Sequence, residues 1–183
     1  MIETKVLTAM AHPLRRRLLD VLKVDGPATV SVLAERTGQA VGNISHHMKV
    51  LAAAELVEEA PELAGDRRER WWRRRSGTLS WSARDYAGDP AATAVAEAAE
   101  SINIDHHLSL VRTWMAGRES YPEAWQEAAF SSDSWLRLSP AELVEFGDEV
   151  IALMQRWARR EIPDDGQDRE PVFTFAHGLP AKP

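Results

Sequence analysis

Side chains that could bind a polyanion are concentrated in two short segments of the N-terminal half. Residues 41–54 carry groups that donate or accept hydrogen bonds, namely Asn43, Ser45, His46 and Lys49. Residues 67–75 hold six arginines and two tryptophans. Amide, hydroxyl and imidazole groups can contact base edges, and guanidinium groups bind phosphate through paired hydrogen bonds. These residue types favour double-stranded DNA as a partner.

The distribution of charge along the chain agrees with such a partner. The whole sequence has a net charge of -6, but residues 1–86 contain 14 Lys+Arg against 11 Asp+Glu. The remaining residues contain 8 against 17. Only the first half is therefore suited to a polyanion. The alternative is an uneven but merely solvated surface.

Several classes of function are excluded or disfavoured. The sequence contains no cysteine, so disulfides, thiolate metal sites, iron–sulfur clusters and cysteine nucleophiles are excluded. It has no glycine-rich phosphate loop, no nucleophile elbow and no carboxylate pair that stands out from the acidic surface. We therefore expect neither enzymatic activity nor a cofactor. Without a long apolar run or a signal-peptide pattern, we expect a cytoplasmic protein with no membrane partner.

Helical periodicity predicts three helices before residue 55. The first begins at His12-Pro13 and carries apolar residues at helical spacing, namely Leu14, Leu18, Leu19 and Leu22. Thr29 is suited to cap the second helix, and Thr37-Gly38 to end it. In the third helix, apolar residues recur at intervals of three, four and three positions: Val41, Ile44, Met48 and Leu51. This spacing predicts that the four side chains form one buried stripe. The four polar side chains of residues 41–54 then point outward.

A change of period after residue 56 predicts a β-hairpin. Val57 to Pro61 and Glu69 to Arg75 are the two extended segments, and the glycine and aspartate of residues 63–66 favour the turn. Trp71 and Trp72 must point to opposite faces, so one is expected to pack on the helices. The cationic side chains expected to contact phosphate are Arg67, Arg68 and Arg70. The alternative role is a charged edge that discourages strand pairing.

The C-terminal half is predicted to be helical. A long helix from Ala91 to about Gly117 carries an apolar stripe, formed by Ile104, Leu108, Val111 and Met115. Tyr121-Pro122 begins a shorter helix, and the capping box at Ser139 marks a helix from Pro140 to about Arg160. Val172 to Phe175 suggests a short strand or arm. Eight aromatic rings either fill a core here or line a pocket for a small apolar effector: Trp114, Trp125, Phe130, Trp135, Phe146, Trp157, Phe173 and Phe175.

These elements predict a mainly α fold with a small β-hairpin wing. Residues 1–86 form a winged helix-turn-helix domain, with recognition helix 41–54 and wing 57–75, and residues 90–183 form a helical region. The sequence resembles the ArsR family of bacterial regulators over about residues 4–81. The resemblance rests on four ordered blocks: Ala11-His12-Pro13-Leu14-Arg15, Leu33-Ala34-Glu35-Arg36-Thr37-Gly38, Ile44-Ser45-His46-His47-Met48-Lys49-Val50-Leu51 and Glu55-Leu56-Val57-Glu58.

The resemblance implies a homodimer that binds DNA and represses transcription. Two departures from the family pattern are Ala40, where the recognition helix usually has a Ser or Thr cap, and Gly42, where Pro is common. The thiolate metal motif of the family is absent. Cysteine-free members hold zinc through oxygen and nitrogen ligands on a dimerisation helix, and Asp105-His106-His107 offers such groups.

We expect no bound metal, because adjacent helical residues diverge by about 100° and His107 shares the apolar stripe. A metal-responsive regulator with oxygen and nitrogen ligands is one alternative. The other is a winged-helix module that binds proteins without binding DNA.

Overall fold

The computed structural model describes residues 2–65, 69–75 and 81–182. It is mainly helical with one small antiparallel sheet, as the sequence predicts. The chain forms two compact units, Met1–Val111 and Arg112–Pro183. The proposed domain division at residues 86–90 stays a prediction, since the break between these units falls inside a helix.

The N-terminal unit contains most of the elements. Its helices are α1 (Thr4–Met10), α2 (Pro13–Val24), α3 (Val30–Thr37) and α4 (Val41–Ala53). Its strands are β1 (Ala28–Thr29), β2 (Val57–Glu59) and β3 (Trp71–Arg74). Helix α5 (Pro90–Gly117) begins in this unit, and the second unit adds α6 (Glu123–Ala128) and α7 (Pro140–Arg159). None of the helices seen in the described ranges has the length and apolar character that crossing a membrane requires.

The helix boundaries follow from local hydrogen bonding. The Leu14 amide donates to Nδ1 of His12 at 3.2 Å, and Pro13 occupies the first turn of α2. Thr29 caps α3 by accepting from the Val32 amide at 3.3 Å. At the end of α3, Gly38 has φ of +66°, a left-handed conformation that glycine adopts without a steric penalty. The sequence predicts all three signals correctly.

Helices α2, α3 and α4 enclose the core of the N-terminal unit. Leu18, Leu33, Ile44, Met48 and Leu51 each have 0% of their surface exposed. Val41 was expected to belong to the buried stripe of α4, but that expectation is wrong because its side chain is 51% exposed. Val41 occupies the first position of the helix, one turn beyond the edge of the core. The buried stripe therefore consists of Ile44, Met48 and Leu51.

The sheet has three strands in the order β1, β3, β2, and both pairings are antiparallel. The predicted hairpin is confirmed as β2 and β3, with Val57 opposite Arg74 and Glu59 opposite Trp72. Trp72 is buried and Trp71 is half-buried, as the alternation of a strand requires. The sequence analysis missed β1, because two residues carry no periodic pattern.

Two arginines of α2 hold the ends of neighbouring helices. Arg15 donates from Nε to the Ala9 carbonyl at 2.6 Å and from Nη2 to the Thr8 carbonyl at 2.8 Å. Arg17 donates to the carbonyls of Thr37 at 3.1 Å and Arg36 at 3.2 Å, at the end of α3. Cations at a helix C-terminus satisfy carbonyls that have no partner in the helix and complement its dipole. Arg17 therefore fixes the turn between α3 and α4.

Helix α5 packs only its first part into the N-terminal unit. Ala92, Ala96 and Ala99 are buried there, whereas the predicted stripe of Ile104, Leu108 and Val111 is 37–43% exposed. The second unit contains the predicted capping box of α7, in which Ser139 and Glu142 bond reciprocally. Of the two alternatives for Val172 to Phe175, a short strand or an arm, the strand is wrong, since no strand or helix occurs in residues 161–182. No neighbouring strand offers that segment a hydrogen-bonding edge within the described part of the second unit.

We predict that Arg17→Met lowers the free energy of unfolding by about 1–3 kcal/mol, because two carbonyls lose a charged donor. Urea denaturation monitored by circular dichroism measures the change. Lys23→Met, an exposed change in the same helix, is the matched control and is expected to lie within about 0.5 kcal/mol of the original chain. Equal effects of both substitutions would contradict a tethering role for Arg17.

Candidate nucleic-acid interface

Helix α4 presents a polar face opposite its buried stripe. Because consecutive helical residues are separated by about 100°, Gly42, His46 and Lys49 fall on one line along the outer side. All three are exposed. Asn43 flanks this line on one side and is exposed, and Ser45 flanks it on the other and is half-buried. The structure thus brings together the four residues that the sequence singles out on this helix.

Gly42 and Gln39 are interface candidates that the sequence analysis did not select. A Cβ built on Gly42 meets no atom within 4 Å, so this position is open to a close approach by a ligand. Asn43 donates from Nδ2 to Oε1 of Gln39 at 3.2 Å, and both residues are exposed. This bond orients the Asn43 amide and pairs two groups able to contact a base. The helical spacing of Gly42 was available in the sequence, whereas the bond to Gln39 depends on the turn.

The N-terminus of α4 is suited to an anion. Ala40 stands at the cap and forms no side-chain cap bond, as its type predicts, and the first turn contains no acidic residue. The partial positive charge and the free amides of a helix N-terminus attract phosphate when no local carboxylate occupies them. The start of α4 can therefore contact a DNA backbone beside the outer face.

Two imidazoles connect α4 to the start of α2. The ring centroids of His12 and His47 are 4.6 Å apart, and His46 lies 5.4 Å from His47. His47 is 7% exposed, and its Nδ1 atom has no hydrogen-bond partner in the described residues. Burial lowers the pKa of both His12 and His47, and the positive charge of Arg15 lowers it further. Both rings are therefore neutral packing groups near neutral pH.

The hairpin arginines are mostly engaged with glutamates. Arg73 pairs with Glu58 at 2.8 Å and also with Glu62, while Arg75 pairs with Glu55 at 2.9 Å. The glutamates hold the pKa of Arg73 above its ordinary value. Over residues 55–75 the sequence holds six arginines and six acidic residues, so this segment has no net charge.

Of the three wing arginines expected to meet phosphate, the structure describes one. Arg70 lies 3.6 Å from Glu59, with its side chain 66% exposed. Arg67 and Arg68 lie outside the described residues. The ion pairs were not predicted from the sequence, because each joins residues 11 or more positions apart in the chain. Of the described wing arginines, Arg70, Arg73 and Arg75 have to exchange these glutamate partners before they bind phosphate.

The histidines of α5 have different surroundings. His106 has Nε2 at 2.5 Å from Oδ2 of Asp20 on α2, and its side chain is 15% exposed. The ring centroid of His107 is 6.3 Å from that of His106. Within the described ranges, no group of three or more His, Asp or Glu side chains is arranged to hold a metal ion. Asp20 was missed as a partner because it lies 86 residues away in sequence.

Comparison with protein families identifies the type of domain that contains α4. A helix-turn-helix domain model matches residues 10–60, a range that includes α2, α3, α4 and β2. No curated protein matches the chain. The chain thus contains a helix-turn-helix domain, which indicates a regulator that binds DNA.

We predict that acid destabilises the N-terminal unit through His12 and His47. Their folded pKa values lie below the unfolded value of about 6.5, so their contribution is complete above that pH and is lost as the pH falls below it. Urea denaturation between pH 8 and about pH 5 measures this slope. The His12→Asn, His47→Gln double variant keeps a capping side chain and should show a shallower slope.

A matched control for this acid effect is His177→Gln, a histidine change in the second unit. It is expected to leave the slope of the N-terminal unit unchanged. An equal slope in the original chain and the double variant would show that these two rings do not couple folding to protonation.

Proposed function

We propose that the chain is a sequence-specific transcription regulator of the ArsR type, a repressor that binds DNA as a homodimer. The observation that carries the proposal is the outer face of α4, where Gly42, His46 and Lys49 form a line flanked by Asn43 and Ser45. An α-helix fits into the major groove of DNA, which is about 12 Å wide, so this face of α4 can reach the base edges. The hairpin then lies over the backbone or the minor groove.

The division of labour between helix and wing follows from their charges. The outer face of α4 has one cation, Lys49, among neutral hydrogen-bonding groups, so it supplies discrimination between base pairs more than attraction. Arg67 and Arg68 supply phosphate contacts from the wing. Arg73 is bound to two glutamates and contributes little attraction for DNA.

We predict that Asn43→Ala weakens binding to the specific site by about 1–3 kcal/mol and leaves binding to unrelated DNA nearly unchanged. A site is first obtained by selecting bound fragments from random duplexes. Titration of that duplex and of a scrambled duplex then gives both affinities. Loss of equal size on both duplexes would contradict base recognition by Asn43.

We predict the opposite pattern for the wing. Arg67→Ala with Arg68→Ala should weaken binding to every sequence, and the slope of log affinity against log salt should become shallower by about one unit per lost contact in each half-site. Arg73→Ala is the matched control, because its guanidinium is already paired. A larger change of slope for Arg73→Ala would assign the phosphate contact to Arg73 instead of Arg67 and Arg68. Retention of binding by all these variants would indicate a wing that has no DNA role.

Dimerisation is expected to fix the spacing of the operator. The apolar stripe of α5 gives the chain a surface to pair with a second copy. Two copies of α4 related by a two-fold axis recognise half-sites one helical turn, about 34 Å, or a multiple of it apart. Footprinting of the selected DNA measures the spacing. Protection of a single half-site by a monomer would refute the dimer.

A further inference from the structure

Helix α7 has an apolar face that residues of its own chain cover only in part. Five side chains recur at intervals of three and four residues, the spacing of a coiled-coil seam: Leu143, Phe146, Val150, Leu153 and Trp157. These five residues are here called the α7 seam. Leu143, which lies against Gly178, and Val150 are half-buried, whereas Phe146 is 43% exposed, Leu153 is 45% exposed and Trp157 is 62% exposed. The opposite side of the helix carries charged residues and Ala152, and two further apolar side chains outside the α7 seam, Val144 and Ile151, are also exposed.

The whole second unit lacks a core of its own within one copy. None of its described residues, 112–182, is buried, although they include four tryptophans and four phenylalanines. Ordering a chain costs about 1–2 kcal/mol per residue, and burial of apolar surface is the main term that offsets it. A helix of 20 residues also draws most of its stability from packing its apolar face. The α7 seam therefore needs a partner surface.

The charges of α7 indicate what that partner is. The first half of the helix contains four acidic residues and no basic one, and the last half contains two arginines and no acidic residue, with Arg160 following. Along one edge of the α7 seam, at intervals of seven, lie Glu142, Glu149 and Arg156. Two such helices side by side in parallel set acid against acid. Two antiparallel copies set the acidic half of each against the basic half of the other.

We propose that the α7 seam pairs with α7 of a second copy of the chain, with the two helices antiparallel about a two-fold axis near Val150. The α7 seam is centred on Val150, with Phe146 and Leu153 on either side of it. A two-fold axis there brings Leu143 of each copy toward Trp157 of the other and Glu142 toward Arg156. Of the three charged residues on that edge, only Glu149 then lies beside its own symmetry mate. The proposal adds a contact to the proposed homodimer and does not depend on DNA binding.

The first test changes the α7 seam and measures dimer dissociation of the full chain by sedimentation equilibrium. Val150→Asp is expected to weaken the dimer at least tenfold, because it buries a charge beside its own symmetry mate. Ala152→Asp, the same new side chain on the opposite side of the helix, is the matched control and should change dissociation less than twofold. Equal dissociation constants for the two variants, or a monomeric original chain at micromolar concentration, would overturn the proposal.

The second test separates pairing from helix stability through a double-mutant cycle. Glu142→Arg and Arg156→Glu are each expected to weaken the dimer by roughly five- to tenfold, since each removes two symmetric pairs and adds repulsion. Glu142→Arg also removes the capping box with Ser139, so circular dichroism of each variant measures any loss of helix separately. The combined variant restores opposite charges and should recover most of that loss. If the charges acted only through the helix dipole, the combined variant would lose more than either single variant, since it has charges of the wrong sign at both ends of α7. Additive losses would therefore overturn the proposal even if Val150→Asp failed to fold.

The third test determines orientation. Because the chain has no cysteine, an introduced thiol is unique. Val150→Cys should form a disulfide with its own copy under mild oxidation, and Leu143→Cys should not. A mixture of Leu143→Cys and Trp157→Cys chains should cross-link to each other. Self-cross-linking of Leu143→Cys would indicate parallel helices and overturn the proposal.

Failure of this inference and failure of the proposed function give different results. If α7 does not pair but the chain regulates DNA, the variants of α7 leave the dimer intact and Asn43→Ala still removes sequence preference. If α7 pairs but the chain does not bind DNA, the cross-links form and the titrations show no specific duplex.

Discussion

The burial of Ile44, Met48 and Leu51 is the constraint on which the N-terminal unit depends. These three side chains have no exposed surface, and they fix the rotation of α4 about its own axis. Replacing any one of them by alanine removes about 2–5 kcal/mol of packing, a large part of the stability of a small domain. Once that rotation is fixed, helical geometry leaves Gly42, His46 and Lys49 on the outside. The candidate interface is thus a consequence of the core.

Several arginines around α4 have structural partners within the protein. Arg15 and Arg17 donate to carbonyls at helix ends, and Arg73 and Arg75 pair with glutamates of the hairpin. Counting the arginines of the N-terminal half therefore overstates the charge available to DNA. What remains is a weakly charged recognition face. A face of this kind offers hydrogen-bond geometry more than charge to a ligand.

The features that the sequence predicts correctly are local ones. The capping by Thr29, the end of α3 at Gly38, the capping box at Ser139 and the hairpin all depend on residues close together in the chain. The features it missed involve distant partners. Strand β1 exists because Ala28 lies opposite Trp72, and a two-residue strand has no period of its own.

Specific side-chain contacts were harder to foresee than elements. The Asp20 and His106 pair joins two helices that are separated by the whole recognition domain and wing. The ion pairs of the wing depend on the register of β2 against β3, which sets Glu58 opposite Arg73. Counting residues shows that residues 55–75 contain six arginines, but it does not show which acidic residues pair with them. The position of Val41 was misjudged for a related reason, since periodicity gives the direction of a side chain and not where the core ends.

Helix α5 has a special position, because the boundary between the two compact units, after Val111, falls within it. Its buried alanines allow close packing, and Ala99 lies in the same core cluster as Leu18 and Leu22 of α2. His106, about two turns further along α5, then binds Asp20 of α2. Helix α2 in turn holds the end of α3 through Arg17.

These contacts form a continuous series from α5 through α2 to the turn before α4. Because closely packed helices resist small displacements, this series fixes the first part of α5 relative to α2 and to the turn before α4.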